Sequence, residues 1–319
     1  MALLTIENLS KAWAGDIVVN DISFAVQTSE QVAIVGETGS GKTTLLKMMG
    51  GLLQPDGGHI FLRSQKVPGP DEVLIPGHPK IGYLSQHFEL RNNYKVYEII
   101  DMARKIDNTE AEKILDICKV AQLQQRWSDE LSGGERQRIA LARLLVSGPE
   151  ILLLDEPFSN LDAAHKRLMQ AVLRELCGQM QMTCILVSHD AADVLSWADT
   201  VVVMQQGKLV QKASPQKIYH QPVNDYVAAL TGDYNKITKG HPLYPLTLQD
   251  SSKPALFVRP QAVRLLQEDS HSVQGIVEQV HFMGSHFLIQ VSVGEYSLLS
   301  YSLQNMFPEG TRVSIQLEG

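Results

Sequence analysis

The segment Gly36-Glu37-Thr38-Gly39-Ser40-Gly41-Lys42-Thr43 combines glycines, a cation and a hydroxyl at the spacing that cradles a chain of phosphates. Its glycines let the backbone curl so that N–H groups face inward, and a helix start behind them adds partial positive charge. Lys42 would hold the β- and γ-phosphates of a nucleotide and the Thr43 hydroxyl would bind Mg²⁺; Thr44, opening the same helix, belongs to the same cradle. The apolar run Val32-Ala33-Ile34-Val35 reads as a buried strand feeding this loop, and Thr43 through Met49 read as a helix stopped by Gly50-Gly51. A Gly-rich turn between strand and helix is the bland alternative. The flanks favour a phosphate loop.

A second group is acidic. Ile151-Leu152-Leu153-Leu154 is a central strand by its unbroken apolarity, and Asp155 and Glu156 emerge at its C-terminal end, where ligand groups cluster in open α/β sheets. Asp155 would hold Mg²⁺ through a water, and Glu156, one residue on, would polarise an attacking water. Ser132-Gly133-Gly134 precedes a helix carrying Arg136, Arg138 and Arg143. Serine is a preferred N-cap, and two glycines allow close approach of an anion. On its own that segment reads first as an ordinary capped helix. Gln86 and His189 are weak signals alone; a histidine at a strand end is most often structural. Trp13 offers a flat face on which a base could stack, against the alternative of a half-buried core residue.

These residues need a scaffold. Residues 3–9 and 17–26 alternate as β-strands. Residues 66–80, punctuated by Pro68, Pro70, Pro76 and Pro79, read as loop. From about 95 to 147 the period becomes helical, with Thr109 and Glu112 as a capping box before Ile114, Leu115, Ile117 and Cys118. Strands and helices then alternate: 151–154, a helix near 163–180, 183–187, a helix near 190–197, and 201–204. Such alternation means a mostly parallel sheet. Beyond a Pro/Gly-containing stretch, short β-like runs at 255–258, 262–266, 273–281, 286–293, 296–301 and 312–317 suggest a small OB-like barrel. The expected class is α/β: a P-loop NTPase core with an N-terminal antiparallel β subdomain and a helical insert, then a small all-β domain. The expected boundaries are 1–232 for the nucleotide-binding domain (helical subdomain about 88–147), 233–250 for a linker and 251–319 for the β domain.

The formal net charge of −7 argues against a nucleic-acid partner, which selects for basic surface. Three cysteines, Cys118, Cys177 and Cys184, fit unbridged thiols in a reducing compartment. The N-terminus lacks the basic-then-apolar pattern of a secretory signal, and the best apolar run, Ile139 to Val146, is interrupted by Arg143, so no span is expected.

Leu131-Ser132-Gly133-Gly134-Glu135-Arg136-Gln137-Arg138, with Asp155-Glu156-Pro157 and Ser159-Asn160-Leu161-Asp162, resembles the ATPase subunits of ABC transporters over roughly residues 3–230. The resemblance implies two copies packed head to tail, each ATP lying between one copy's phosphate loop and the other's Ser132-Gly133-Gly134 segment. It implies that Gln86 senses Mg²⁺ and the membrane subunit, that His189 contacts the γ-phosphate, that Asp162 communicates across the dimer and that Trp13 stacks on adenine. Glu135 departs from the family's more usual glutamine. Phe88-Glu89-Leu90-Arg91-Asn92-Asn93-Tyr94 departs from its Pro-containing segment after Gln86. Val258-Arg259-Pro260-Gln261-Ala262-Val263, Gly275-Ile276-Val277 and Gly284 resemble the regulatory TOBE domain of importer ATPases.

The implied function is an ATP-hydrolysing importer subunit at the cytoplasmic face of the inner membrane. Its partners would be a second copy, a transmembrane permease and, indirectly, a solute-binding protein. The rival readings are an exporter-type or non-transport ATPase of the same superfamily, or a degenerate ATP-binding regulatory module. Intact Lys42, Asp155, Glu156 and His189 oppose the last. His281, His286 and Glu278 could suggest a metal site, although scattered strand histidines are mostly structural.

Overall fold

A computed structural model describes residues 2–86, 90–159, 161–244, 255–267 and 272–318. The chain forms two compact units, residues 1–215 and 216–319. This division falls ahead of the expected boundary at 232.

In the first unit, β1 (Ala2–Trp13), β2 (Asp16–Gln27), β4 (Gly57–Leu62) and β5 (Gln65–Lys66) make an antiparallel sheet in the order β2-β1-β4-β5. The second sheet has the order β10-β9-β3-β8-β7-β6. Its strands are β3 (Gln31–Val35), β6 (Ile81–Leu84), β7 (Ile151–Asp155), β8 (Thr183–Ser188), β9 (Thr200–Gln205) and β10 (Lys208–Ala213). All pairings are parallel except that of the β10 edge. Parallel strands covered on both faces must be apolar throughout, and every residue of β7 and β8 is buried. Leu4, Ile6 and Ile22 of the antiparallel sheet share one core with Ile34, Leu153 and Ile185 of the parallel sheet and with Leu45, Met48 and Met49 of α1 (Lys42–Met49).

Register decides where the chemistry falls. Val35 pairs with Ser188, Asp155 with Val187, and Leu84 with Leu154. The ends of β3, β6, β7 and β8 therefore lie within a residue or two of one another along a single sheet edge, and the phosphate loop, Gln86, Glu156 and His189 all leave from it.

The insert between β6 and β7 contains α2 (Val96–Ala103), α3 (Asn108–Ile117) and α4 (Gly133–Leu145). Helix α3 begins earlier than the Thr109–Glu112 box predicts: its N-cap is Asp107, whose carboxylate accepts the Glu110 N–H at 2.9 Å. A carboxylate at the positive end of a helix is the stronger cap, and Thr109 lies already inside the first turn. After β7 come α5 (Ala163–Met180) and a single turn, α6 (Ala192–Leu195), shorter than the helix expected at 190–197. The three cysteines are buried and unbridged.

The second unit holds α7 (Pro215–His220), α8 (Asp225–Leu230), a ribbon of β11 (Asn235–Thr238) with β12 (Ala255–Val258), and an antiparallel sheet. Its strands are β13 (Val263–Leu266), β14 (Val273–Phe282), β15 (Phe287–Val293), β16 (Tyr296–Ser302) and β17 (Arg312–Leu317), ordered β13-β17-β14-β15-β16. The edge strands β16 and β13 meet: Ser300 Oγ donates to the Val263 carbonyl at 2.6 Å, curling the sheet toward closure. Strand β11 lies in the segment read as linker. Asn235 and Ile237 are buried in it, and the Asn235 amide both donates to and accepts from the Leu299 backbone. Arg259 supplies the structural centre of this unit. Its buried guanidinium donates to the carbonyls of Tyr219, Ala228, Gly232 and Asp233, satisfying the C-terminal end of α8.

Candidate functional site

The loop after β3 places its groups by backbone geometry. Gly41 has φ +96°, and a Cβ there would lie 2.3 Å from the Val18 carbonyl oxygen, so only glycine fits before the first turn of α1. Lys42 is 5 % exposed, and its ammonium donates to the carbonyls of Gly36 and Glu37 at 2.7 Å each. Burial pulls its pKa down, opposed by the charges of Glu156, Asp155 and Glu37. Glu37, Thr38 and Gly39 are exposed at the rim, Ser40 is buried beneath, and Thr44 is half-buried in the first turn of the helix.

Asp155 ends β7 and is nearly buried. Thr43 Oγ1 donates to its Oδ1 at 2.9 Å, and the Tyr83 hydroxyl donates to its Oδ2 at 2.8 Å. Burial, and then the Asp155 charge, push the Tyr83 phenol above its ordinary range. Thr43 and Asp155 suit Mg²⁺. Both present hard oxygen side by side, the donor type that ion prefers.

Glu156 is the next residue and has φ +48°, a left-handed conformation rare outside glycine. Its N–H bonds the Val187 carbonyl, and Pro157 follows. The strained turn swings the side chain off the sheet edge into a pocket of about 300 Å³ lined in part by Gln86, Ser159, Lys166, His189 and Asp193. Glu156 Oε2 accepts from Ser159 Oγ at 2.7 Å and lies 3.2 Å from His189 Nδ1 and 3.5 Å from Gln86 Nε2. Lys166 and Asp193 form an ion pair on the same pocket wall.

Two clusters result. Lys42, Thr43, Asp155, Glu156, Gln86 and His189 gather at the ends of β3, β6, β7 and β8. The other joins α4 to α5. Ser132 caps α4 by accepting the Glu135 N–H, and Glu135 returns the bond by accepting the Ser132 N–H at 2.8 Å. The departure at position 135 thus closes a capping box, with Arg126 3.6 Å from the carboxylate. The Ser132 N–H, above all, holds the Glu135 pKa below the ordinary carboxylate range. Asp162 caps α5 through the N–H groups of Ala164 and His165, and its second oxygen lies 2.7 Å from His165 Nδ1. The ring of His165 covers Gly134. Gly133 stands exposed beside it.

Trp13 is 51 % exposed at the end of β1, with Lys11 Nζ 5.0 Å from its ring centre. Among the described hydrogen bonds and ring contacts it meets none of the other candidates. Asn160, Phe88 and Glu89 lie outside the described residues. In the second unit, Glu278, His281 and His286 bond Gln290, Gln279 and Ser285 respectively; among the described residues no three His, Cys, Asp or Glu come together as a metal cluster.

Tyr83, Ser159 and His165 were not singled out from sequence. Ser159 and His165 each follow a candidate carboxylate by three residues, the distance at which a side chain can turn back on the chain. Tyr83 had no local signal, because its contact crosses from β6 to β7.

Comparison with known proteins accords with this geometry. The ABC transporter family profile matches residues 19–159 and the TOBE domain profile residues 256–318. The sulfate/thiosulfate import ATP-binding protein of Synechocystis is 32 % identical over 90 % of this chain and 84 % of its own. The spermidine/putrescine import ATP-binding protein of Acetivibrio thermocellus is 30 % identical over 99 % and 94 %. Among solved structures, cbiO1 from Clostridium perfringens, part of the ABC transporter complex cbiONQ, superposes with a TM-score of 0.61 at 25 % identity, covering 68 % of this chain and 90 % of that one. The chain belongs to the ABC transporter family, as an importer-type ATP-binding subunit, a transport ATPase with a C-terminal TOBE domain.

Proposed function

We propose that two copies of this chain close head to tail on two Mg-ATP molecules and that the closure drives a transmembrane permease. The loop 36–43 grips the triphosphate of one nucleotide, and Ser132, Gly133 and Gly134 of the other copy approach it from the opposite side. Lys42 neutralises the β- and γ-phosphates. Thr43 and Asp155 hold Mg²⁺, with Gln86 beside them. When bound, Mg²⁺ supplies charge to the phosphate oxygens. Glu156 accepts a proton from the attacking water, held in place by Ser159, while His189 reaches the γ-phosphate. Asp162 sits at the seam between copies. Trp13 stacks on the adenine.

The observation that carries this reading is the convergence on Glu156 Oε2, where groups from β6, β8 and the turn after β7 meet one carboxylate oxygen within 3.5 Å. A carboxylate so oriented, next to a separate metal-binding aspartate, divides the work as water activation requires. Relatives near 30 % identity bear the names of chemically unlike cargoes, an oxyanion in one and a polyamine in another. The cassette therefore supplies force, and the permease with its solute-binding protein reads the cargo. Among the described residues no helix is long and apolar enough to cross a membrane. A place at the cytoplasmic face follows from the proposed coupling to the permease, which would hold the chain there.

The test is Glu156→Gln. ATP turnover is expected to fall at least about 100-fold, while saturating Mg-ATP converts the variant to a dimer on size exclusion. Equal turnover would remove Glu156 from the chemistry. A variant that stays monomeric under saturating Mg-ATP would remove the sandwich.

A further inference from the structure

Both oxygens of Asp155 are occupied by hydroxyl donors, and only one of those donors belongs to the phosphate loop. Thr43 Oγ1 takes Oδ1 at 2.9 Å; Tyr83 Oη takes Oδ2 at 2.8 Å. Tyr83 stands on β6, paired with Leu153 on the neighbouring strand, two residues before Asp155. Its phenol reaches along the sheet edge to the carboxylate, and β6 then runs out toward Gln86, three residues on. A tyrosine in a largely buried strand needs a partner for its hydroxyl. Here the partner is the carboxylate of an almost fully buried aspartate. The Tyr83 bond fixes Oδ2, and Oδ1 is left directed at Thr43 on the phosphate-loop side.

We propose that Tyr83 is a positioning residue for the metal grip: it pins Asp155 by one oxygen so that the other faces Thr43 and the site where Mg²⁺ is held. The inference rests on the assignment of Asp155 to Mg²⁺ under the proposed function. It extends that assignment to a strand carrying no phosphate-loop residue. Without the phenol, the carboxylate can rotate about its last bond, and some of its orientations turn both oxygens away from Thr43. The deficit should appear in the metal dependence alone, since Tyr83 contacts no group of the phosphate cradle among the described hydrogen bonds.

Tyr83→Phe in the full chain removes one oxygen and keeps the ring. ATP affinity would be measured by calorimetry in EDTA and across a Mg²⁺ titration, alongside steady-state turnover over the same Mg²⁺ range. The expected result is an unchanged affinity in EDTA and a Mg²⁺ requirement raised about tenfold, the scale of one hydrogen bond to a charged group. Turnover at saturating Mg²⁺ should stay within about twofold. In an Asp155→Asn background, Tyr83→Phe should add no further shift. A Mg²⁺ titration of Tyr83→Phe that superimposes on wild type, while Asp155→Asn is shifted, overturns the inference and leaves the site reading intact. An equal loss of ATP affinity with and without Mg²⁺ overturns it in favour of a purely structural tyrosine. If Asp155→Asn itself leaves the Mg²⁺ requirement unchanged, the metal assignment falls and the inference with it.

Discussion

A Cβ on Gly134 would lie 2.5 Å from Cδ2 of His165 in the same chain. The imidazole is not free to retreat, because its Nδ1 lies 2.7 Å from Asp162 Oδ2, and Asp162 is itself fixed as the cap of α5. The start of α4 and the start of α5 are thus packed as one piece. Gly134→Ala should cost about 1–3 kcal/mol of stability by overpacking, and His165→Ala in the same chain should relieve most of it. Urea unfolding of wild type, both single variants and the double variant measures the coupling directly. Additive effects would mean that the ring yields and the contact does not constrain the glycine.

Ser159 makes the shortest of the bonds to Glu156 Oε2. If that bond holds the carboxylate toward the attacking water, Ser159→Ala should lower kcat about tenfold with the KM for ATP unchanged, the scale of one hydrogen bond to a charged acceptor. Phosphate release at saturating Mg-ATP checks this. A raised KM with normal kcat would place Ser159 in binding instead.

Trp13 stands apart from the phosphate machinery, so its loss should affect affinity and leave the chemistry intact. Trp13→Ala should weaken ATP binding by about tenfold or more, given roughly 1–3 kcal/mol for a base stacked on an aromatic ring. Trp13→Tyr should keep most of it. GTP affinity should fall in parallel, because stacking requires only a flat face. Equilibrium binding of both nucleotides to the three proteins tests the assignment.

The parts legible in the sequence were those whose physics is local. A buried parallel strand is apolar along its whole length, so Val32–Val35 and Ile151–Leu154 declared themselves, and with them the edge where Lys42 and Asp155 meet. The six β runs of the C-terminal region followed from alternation alone, and each corresponds to a strand. What escaped was set by partners distant in sequence. Tyr83 bonds Asp155 across 72 positions, and Asn235 is held by Leu299 across 64, which makes a strand of a segment whose prolines and glycines read as linker. Helix α3 was misplaced for a different reason: Asp107 and Thr109 are both acceptable caps, and spacing alone does not rank a carboxylate above a hydroxyl. Glu135 stands three residues after Ser132, the spacing of a capping box, and the structure closes that box.

His241 gives the second unit a pH dependence of predictable sign. The side chain is 3 % exposed, its ring lies 4.5 Å from that of Tyr296, its Nδ1 accepts the Leu243 N–H, and its Nε2 is buried with no partner among the described residues. Burial holds its pKa below the ordinary imidazole value of 6.5. The unfolded chain therefore binds a proton below pH 6.5 that the folded unit refuses. The stability contribution is complete above that pH and is lost as the pH falls toward the folded value, by at most about 1.4 kcal/mol per pH unit for one proton. His241→Asn keeps an acceptor near Leu243 and removes the titrating ring, so its unfolding free energy should decline less steeply than wild type between pH 6.5 and 5. Denaturant melts of both proteins across that range decide it. Parallel pH profiles would assign the acid sensitivity to other groups.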